Sequence, residues 1–125
     1  MPTLISGPTI IPPAGSPPKL IREHVGRINT GDEGVSIAHM TSPPGWVEPG
    51  QRPAFREFTL VLQGEMVVDF VDDEGQLAQL TVAAGQSVIT EPGEWIRYRT
   101  PKGAEYIAVC TPAFSIDTVH RDPET

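Results

Sequence analysis

A regular alternation between short apolar runs and tight clusters of turn-forming residues most constrains how this chain can fold. Seven runs of four to six residues are rich in the β-branched, aliphatic and aromatic side chains that strands favour. They span 35–40, 58–62, 66–71, 77–82, 87–90, 95–100 and 106–111. Gly, Pro, Asp and Gln clusters lie between them, and no stretch shows the sustained 3.6-residue apolar period of a long helix. Short strands about ten residues apart indicate an all-β sandwich or barrel.

The chain of 125 residues is long enough for one domain with its own core. Six of its fourteen prolines lie within the first 18 residues, and Pro both fixes φ and lacks a backbone donor. We therefore predict an N-terminal arm at 1–20, a single barrel domain at 21–116 and a C-terminal tail at 117–125. The arm either lies extended over the domain or a partner, or forms a partly mobile tail. Within the domain, the segment 21–25 is expected to be an exposed edge strand.

Charge and cysteine content exclude several classes of function. The chain has 16 acidic and 9 basic residues, and a net charge of −7 argues against binding nucleic acid. A single cysteine can form neither an internal disulfide nor a zinc–thiolate site. No apolar run approaches the roughly 20 residues of a membrane helix, and the N-terminus lacks the basic and apolar pattern of a secretory signal. We expect a cytoplasmic protein that binds neither a membrane nor nucleic acid.

Two segments carry a family resemblance: GQRPAFREFTLVLQGE at 50–65 and GQSVITEPGEWIRYRT at 85–100. In the first, Glu57 is followed by six residues and then Gly64; in the second, Gly85 is followed by five residues and then Glu91-Pro92-Gly93. They resemble the two motifs of the cupin family of single-domain barrels. Its first motif contains His-x-His before such a Glu, and its second contains a His after such a Pro-x-Gly. The resemblance implies an all-β double-stranded β-helix, or jelly-roll, barrel.

The resemblance also implies where a metal would bind, because metal-binding cupins hold Fe, Mn, Ni or Zn with three His and one Glu. Of these four positions only Glu57 is retained. The histidine positions are taken by Gln51 and Pro53 (or by Gly50 and Arg52, depending on spacing) and by Ile96, and the usual Asn is Thr100. One carboxylate cannot hold a transition metal, so we expect no metal and no other cofactor.

The three histidines of the chain, His24, His39 and His120, follow no ligand spacing. His39 lies in a predicted strand close to the expected barrel mouth. Two interpretations of His39 are open: its side chain points inward and pairs with Glu57, or it is a hydrogen-bonded strand histidine. A metalloenzyme with atypical ligands would need His39 and a second histidine near Glu57.

Side chains alternate in a strand, so an inward Glu57 places Phe55 and Thr59 on the same face. In the second motif Ile96 and Tyr98 are expected to face inward with it. An apolar lining with a few polar groups is typical of a small-molecule pocket. The predicted ligand-binding residues are His39, Trp46, Arg52, Phe55, Thr59 and Ile96. Trp46, in a loop before the first motif, is either a lid over the mouth or a side chain packed beneath the loop.

Glu57 and Tyr98 are the candidate catalytic residues. Desolvation would raise the pKa of Glu57 and suit it to acid–base work, whereas Arg52 or Arg56 would turn it into a structural ion pair. Tyr98 would orient a hydroxyl or carbonyl group, or would simply line the barrel. The lone Cys110 is expected to be a small buried residue. Arg97 and Arg99 are expected on a solvated strand face.

The favoured function is the binding of a small organic ligand, similar to a sugar or a carboxylate, in a barrel without the usual metal. The alternative is a metal-independent isomerase, epimerase or lyase that uses Glu57 and Tyr98. The opposite face of the first motif strand carries Phe58, Leu60 and Leu62. An apolar outer face predicts a second cover, and a second copy of the chain, giving a homodimer, is the natural candidate.

Overall fold

Antiparallel strands form almost all of the regular structure in a computed structural model that describes residues 1–123. The strands are β1 (Thr9–Ile11), β2 (Leu20–Val25), β3 (Ser36–Ser42), β4 (Trp46–Val47), β5 (Arg56–Val71), β6 (Leu77–Ala83), β7 (Ser87–Thr90), β8 (Ile96–Thr100) and β9 (Ala104–Thr111). The all-β prediction is confirmed. Residues 124 and 125 of the predicted tail lie outside the described residues.

The strands curl into two walls that share the long strand β5. Their order is β1-β2-β3-β9-β5-β8-β4, with β6 and β7 also paired to β5. The first half of β5 pairs with β9 and β7, and the second half pairs with β6 and β8. One continuous strand therefore runs from one wall of the barrel into the other.

Two predicted strands, at 58–62 and 66–71, are thus parts of β5, and the turn expected between them is wrong. A register shift between Val61 and Gln63 bends the strand at this place. Gly64 has a φ of 76°, and a Cβ there would lie 2.2 Å from the carbonyl oxygen of Gly103. Glycine is required for the bend and the close backbone approach, not for a chain reversal.

The N-terminal arm lies on the domain. β1 pairs antiparallel with β2, and Ser16 exchanges two backbone hydrogen bonds with Val47, at 3.0 and 3.1 Å. β2 therefore lies between β1 and β3, which corrects the expectation of an exposed edge strand at 21–25. The proline-flanked β1 takes the edge position instead, where a missing donor is tolerated.

The core lies between the two walls, where every second residue of β8 and β9 is buried. Large side chains of β5, β8 and β9 fill it, with Trp46 from β4. A smaller cluster at one end of the barrel contains Phe55, Cys110 and Val119. Burial at period two is what an antiparallel wall with one covered face requires.

The C-terminal segment folds back across the end of the barrel. Its short helix α1 (Ile116–Val119) begins at the N-cap Ser115, whose side chain accepts from the backbone N–H of Asp117. Ala54 N–H donates to Thr118, and Asp122 N–H donates to Gly50, at 2.8 and 2.7 Å. No helix within residues 1–123 is long and apolar enough to cross a membrane.

Arg97 and Arg99 are not a simple solvated face. Their guanidinium groups both donate to the buried carboxylate of Asp69, each through Nε at 3.0 Å. Burial acts to raise the pKa of Asp69, but the hydrogen bonds from Arg99 and Arg97 outweigh it and lower the pKa below its usual value. This trio ties β5 to β8 on the outer surface.

Candidate functional site

A cavity of about 110 Å³ lies inside the barrel, large enough for several water molecules or a small organic molecule. The inner faces of β3, β5 and β9 form much of its wall. Both ends of the chain complete it: Ile11, Pro12 and Lys19 from the N-terminal side, and Phe114, Ile116 and Arg121 from the C-terminal side. Its surface is mainly apolar, with a few buried polar and charged groups.

Glu57 faces this cavity with Phe55 and Thr59, as the strand alternation predicts, and is only 8 % exposed. The thiol of Cys110 donates to its Oε2 at 3.2 Å. Burial raises the pKa of Glu57, and hydrogen bonds from Tyr98 and Cys110 oppose this only in part. The predicted arginine partners are elsewhere, since Arg52 is exposed and Arg56 pairs with Glu91.

Tyr98 and Cys110 remain protonated beside Glu57. Burial and then the charge of Glu57 raise the pKa of Tyr98 well above its ordinary value, and the same two causes raise the pKa of Cys110. The Tyr98 hydroxyl also lies 3.1 Å from Thr90 Oγ1. A thiol that keeps its proton is a poor nucleophile, so Cys110 serves as a hydrogen-bond donor to Glu57, a contact that its local sequence did not suggest.

Lys19 and Glu48 form a buried ion pair in the cavity wall, with Nζ 3.6 Å from Oε2. The Lys19 ammonium also lies 4.2 Å from the ring centroid of Trp46. Burial acts to lower the pKa of Lys19, but Glu48, Tyr106 and Glu57 together raise it, so the side chain stays cationic. The sequence does not predict this pair, because no local pattern marks a lysine or glutamate beside prolines as buried.

Trp46 belongs to the fixed wall of the cavity. It is 1 % exposed, and its Nε1 donates to the carbonyl of Ala14 in the N-terminal arm at 3.0 Å. Of the two alternatives for Trp46, the structure corresponds to the packed side chain and not to a lid.

Gln51 and Arg121 meet at the cavity through an isolated antiparallel bridge. Gln51 is 3 % exposed. Within residues 1–123, neither its Oε1 nor the buried Nε of Arg121 has a hydrogen-bond partner. The Arg121 guanidinium lies 5.5 Å from the ring centroid of Phe114. The family resemblance marks Gln51 as a lost metal position, whereas no pattern in the sequence marks Arg121, which lies in the tail.

Three predicted ligand-binding side chains lie away from the cavity. Ala38 and Met40 line it, so His39 between them points outward, with Nε2 3.3 Å from Glu105 Oε1. Arg52 alternates with the inward Gln51 and is exposed. Ile96 is buried in the core cluster but does not line the cavity.

The residues around Glu57 do not fit the metal centre that the family resemblance implies. A thiol and a phenol that keep their protons surround the carboxylate, and the Lys19 ammonium already supplies a positive charge. None of the histidines lines the cavity: His120 caps α1, with Nδ1 3.0 Å from the carbonyl of Arg52. Within residues 1–123 no group of three His, Cys, Asp or Glu side chains is arranged to hold a metal ion.

Comparison with known proteins gives the relatives of this chain. A sequence model of the family described as "Cupin domain" matches residues 38–111. The chain is 38 % identical over 106 residues to a protein named Endoribonuclease YbeY from Myxococcus xanthus, which covers 83 % of this chain and 34 % of that protein.

Solved structures of oxalate decarboxylase are similar in fold. One, from Bacillus subtilis at pH 4.6, has a TM-score of 0.74 and 20 % identity over 97 % of this chain and 33 % of that chain. Another, titled for the substrate binding mode of oxalate decarboxylase, has a TM-score of 0.73 and 21 % identity. The chain spans about a third of the length of these relatives. At this identity the likeness shows the fold alone, and it confirms the jelly-roll barrel.

Proposed function

This chain belongs to the cupin family, and we propose that its barrel binds a small organic ligand without the family's three-histidine, one-glutamate metal centre. The observation that carries the proposal is the cavity of about 110 Å³, an apolar chamber into which buried charged and hydroxyl groups converge. Such a lining suits a small molecule, whose apolar part is desolvated while its polar part is oriented.

The polar groups of the cavity are arranged so that each can orient a ligand. Thr59 and Tyr98 offer hydroxyls, Glu57 offers a carboxyl group, and Lys19 offers a positive charge from the arm. All four are buried, so a hydrogen bond to any of them is made in a low-dielectric setting, where it is stronger than in water.

A binding screen with a matched pair of variants tests this proposal. The purified protein is analysed for metals and then titrated by ligand-observed NMR with monosaccharides and small carboxylic acids. Thr59→Val removes a cavity hydroxyl and should weaken binding about tenfold. Thr81→Val makes the same change at an exposed position of β6 and should not affect binding.

Two results would contradict metal-free binding in the cavity. One is a stoichiometric transition metal in the purified protein. The other is a ligand whose affinity changes neither with Thr59→Val nor with Tyr98→Phe, because both substitutions alter the cavity lining.

A second candidate is a metal-independent isomerase, epimerase or lyase, favoured by the raised pKa of Glu57 beside two protonated donors. In this role Glu57 accepts a proton from the substrate, and Tyr98 donates a hydrogen bond to the oxygen on which charge develops. A bound ligand in D₂O should then exchange a carbon-bound proton, seen by NMR. Glu57→Gln should abolish the exchange while the ligand still binds; exchange that persists in this variant excludes Glu57 as the base.

We also propose that a second copy of the chain covers the outer face of the first wall. Leu60, Leu62 and Ile89 are 40–51 % exposed there. The face carries the ion pair Arg56–Glu91 and places Glu105 beside the His39 imidazole, so it presents both signs of charge although the chain has a net charge of −7. A twofold interface places the same patch of both copies against each other, so the patch needs charges of both signs to be complementary to itself.

Sedimentation velocity tests the dimer. Leu60→Asp with Ile89→Asp should shift a dimer to monomers, whereas Leu77→Asp, at an exposed position of β6, should not. A wild-type protein that sediments as a monomer at high micromolar concentration would rule the dimer out.

A further inference from the structure

Two polar side-chain atoms on bridged residues of the cavity wall have no hydrogen-bond partner among residues 1–123. They are the amide oxygen Oε1 of Gln51, an acceptor, and Nε of Arg121, a donor. Both residues line the cavity, and both atoms are shielded from solvent. A buried polar atom without a partner costs about 1–3 kcal/mol, and such atoms in a cavity are often satisfied by a bound molecule.

The backbone holds these two side chains side by side. Gln51 exchanges hydrogen bonds with Ile96 at 2.8 and 3.0 Å, and the flanking bonds Arg52 N–H to His120 and Asp122 N–H to Gly50 fix the second bridge. Directly opposed residues in an antiparallel pair point to the same face, about 5 Å apart at Cβ. The two side chains therefore leave the backbone on the same face and line the same cavity, where one small molecule can contact both.

Charge determines which kind of ligand group Arg121 binds. Lys19, the other cation of the cavity, is compensated by Glu48 at 3.6 Å. Arg121 takes part in none of the ion pairs within residues 1–123, and its neighbour Asp122 accepts from Trp95 Nε1 instead. A carboxylate supplies both the negative charge and the acceptor that this guanidinium lacks.

We propose, on the basis of the ligand-binding function proposed above, that the ligand is a small hydroxycarboxylate. Its carboxylate accepts from Arg121 Nε–H, and its hydroxyl donates to Gln51 Oε1. An uncharged sugar would leave the guanidinium uncompensated, and a simple carboxylate would leave the Gln51 oxygen without a donor. The remainder of the molecule lies against the apolar part of the lining, which includes Phe114.

Three probes of nearly equal size separate the two contacts. Lactate carries both groups, propionate lacks the hydroxyl, and lactamide lacks the negative charge. NMR titration of the full chain should give a dissociation constant for lactate about tenfold lower than for either analogue.

Single substitutions should remove one preference each. Gln51→Leu should abolish the preference for lactate over propionate but keep that for lactate over lactamide. Arg121→Met should abolish the preference for lactate over lactamide but keep that for lactate over propionate. If this variant fails to fold, Arg121→Lys is used instead; it keeps the charge and should retain part of the preference for the carboxylate. Arg56→Gln removes an arginine charge on the outer face and should change neither ratio.

The outcomes separate this inference from the broader proposal. Equal binding of lactate and propionate would overturn it, since the Gln51 amide would then present its NH₂ group to the cavity and act as a second donor. A monosaccharide that binds in the cavity while all three probes fail would also overturn it, yet it would support ligand binding. Failure of every compound in the wider screen would reject both.

Discussion

The buried ion pair between Lys19 and Glu48 allows the sharpest test of the structure. Lys19→Met keeps the length and the apolar stem of the side chain but removes the ammonium group. Glu48 is then left buried with no cation beside it, and the contact between the ammonium and the Trp46 ring is lost. Because Lys19 immediately precedes β2 and pairs with Glu48, which follows β4, the substitution tests whether this charge helps to hold the arm to the barrel.

The expected cost follows from burial. Removing one member of a buried ion pair typically costs about 3–5 kcal/mol, because the remaining charge is desolvated without compensation. A domain of this size is stable by about 5–15 kcal/mol, so Lys19→Met should lower the urea midpoint substantially without necessarily unfolding the protein. The double variant Lys19→Met with Glu48→Leu should recover at least half of the loss, since an apolar pair leaves no buried charge.

A second ion pair in the same chain provides the control. Lys102 lies 3.6 Å from Glu65, the same separation as in the buried pair, but its side chain is 78 % exposed. Lys102→Met should change the free energy of unfolding by less than about 1 kcal/mol, because solvent screens the pair.

The pH dependence has a definite sign. Folding raises the pKa of Lys19 above its ordinary 10.5, so its contribution to stability is complete below pH 10.5 and is lost as the pH rises through the folded value. Two results would refute the assignment of Lys19 and Glu48 as a buried, coupled pair. One is an equal loss of unfolding free energy in Lys19→Met and Lys102→Met. The other is a double variant whose loss equals the sum of the Lys19→Met and Glu48→Leu losses.

Other substitutions test the site and the fold. Folding raises the pKa of Glu57 above 4.5, so the Glu57→Gln variant should melt at a higher temperature than the wild-type protein at pH 7.5. This gain in melting temperature should shrink as the pH falls toward 4.5. An unchanged melting temperature at pH 7.5 would contradict the burial of the Glu57 charge. Asp69→Asn should cost about 1–2 kcal/mol by urea unfolding at pH 7, and this loss should fade only in acid below pH 3.8, because folding lowers the pKa of Asp69. Gly64→Ala should lower the free energy of unfolding by at least about 2 kcal/mol, because the new Cβ would meet the Gly103 carbonyl. Gly85→Ala, also at positive φ but in open space, should lower it by about 1 kcal/mol. Equal losses would contradict the close approach at Gly64.

The strands could be predicted from the sequence because each wall of the barrel has one covered face, which imposes a period of two. The same rule placed Phe55, Glu57 and Thr59 on the cavity. It fails for His39, because the run 35–40 has apolar residues at odd and even positions alike. The outer face there is itself partly apolar, so the pattern does not say which face is inside.

The charged half of the site could not be predicted, because its burial depends on contacts between distant parts of the chain. Lys19 is buried where the arm pairs with Val47 through Ser16 and packs on Glu48 and Trp46. Arg121 lies in the cavity wall where the C-terminal segment bridges to Gln51. Neither contact leaves a signal in the local pattern of residues.

The placement of these charges bears on how far function can be transferred within the family. The match to the family covers residues 38–111, and both Lys19 and Arg121 lie outside it. The matched residues therefore build part of the chamber, whereas the flanking segments complete its wall and supply the two cations that face it. A relative with the same barrel but different ends would present a different charge to its ligand, and charge is a strong determinant of which small molecule a buried site accepts. The ends of the chain, rather than the retained Glu57 alone, are thus where the ligand preference of this barrel is expected to be set.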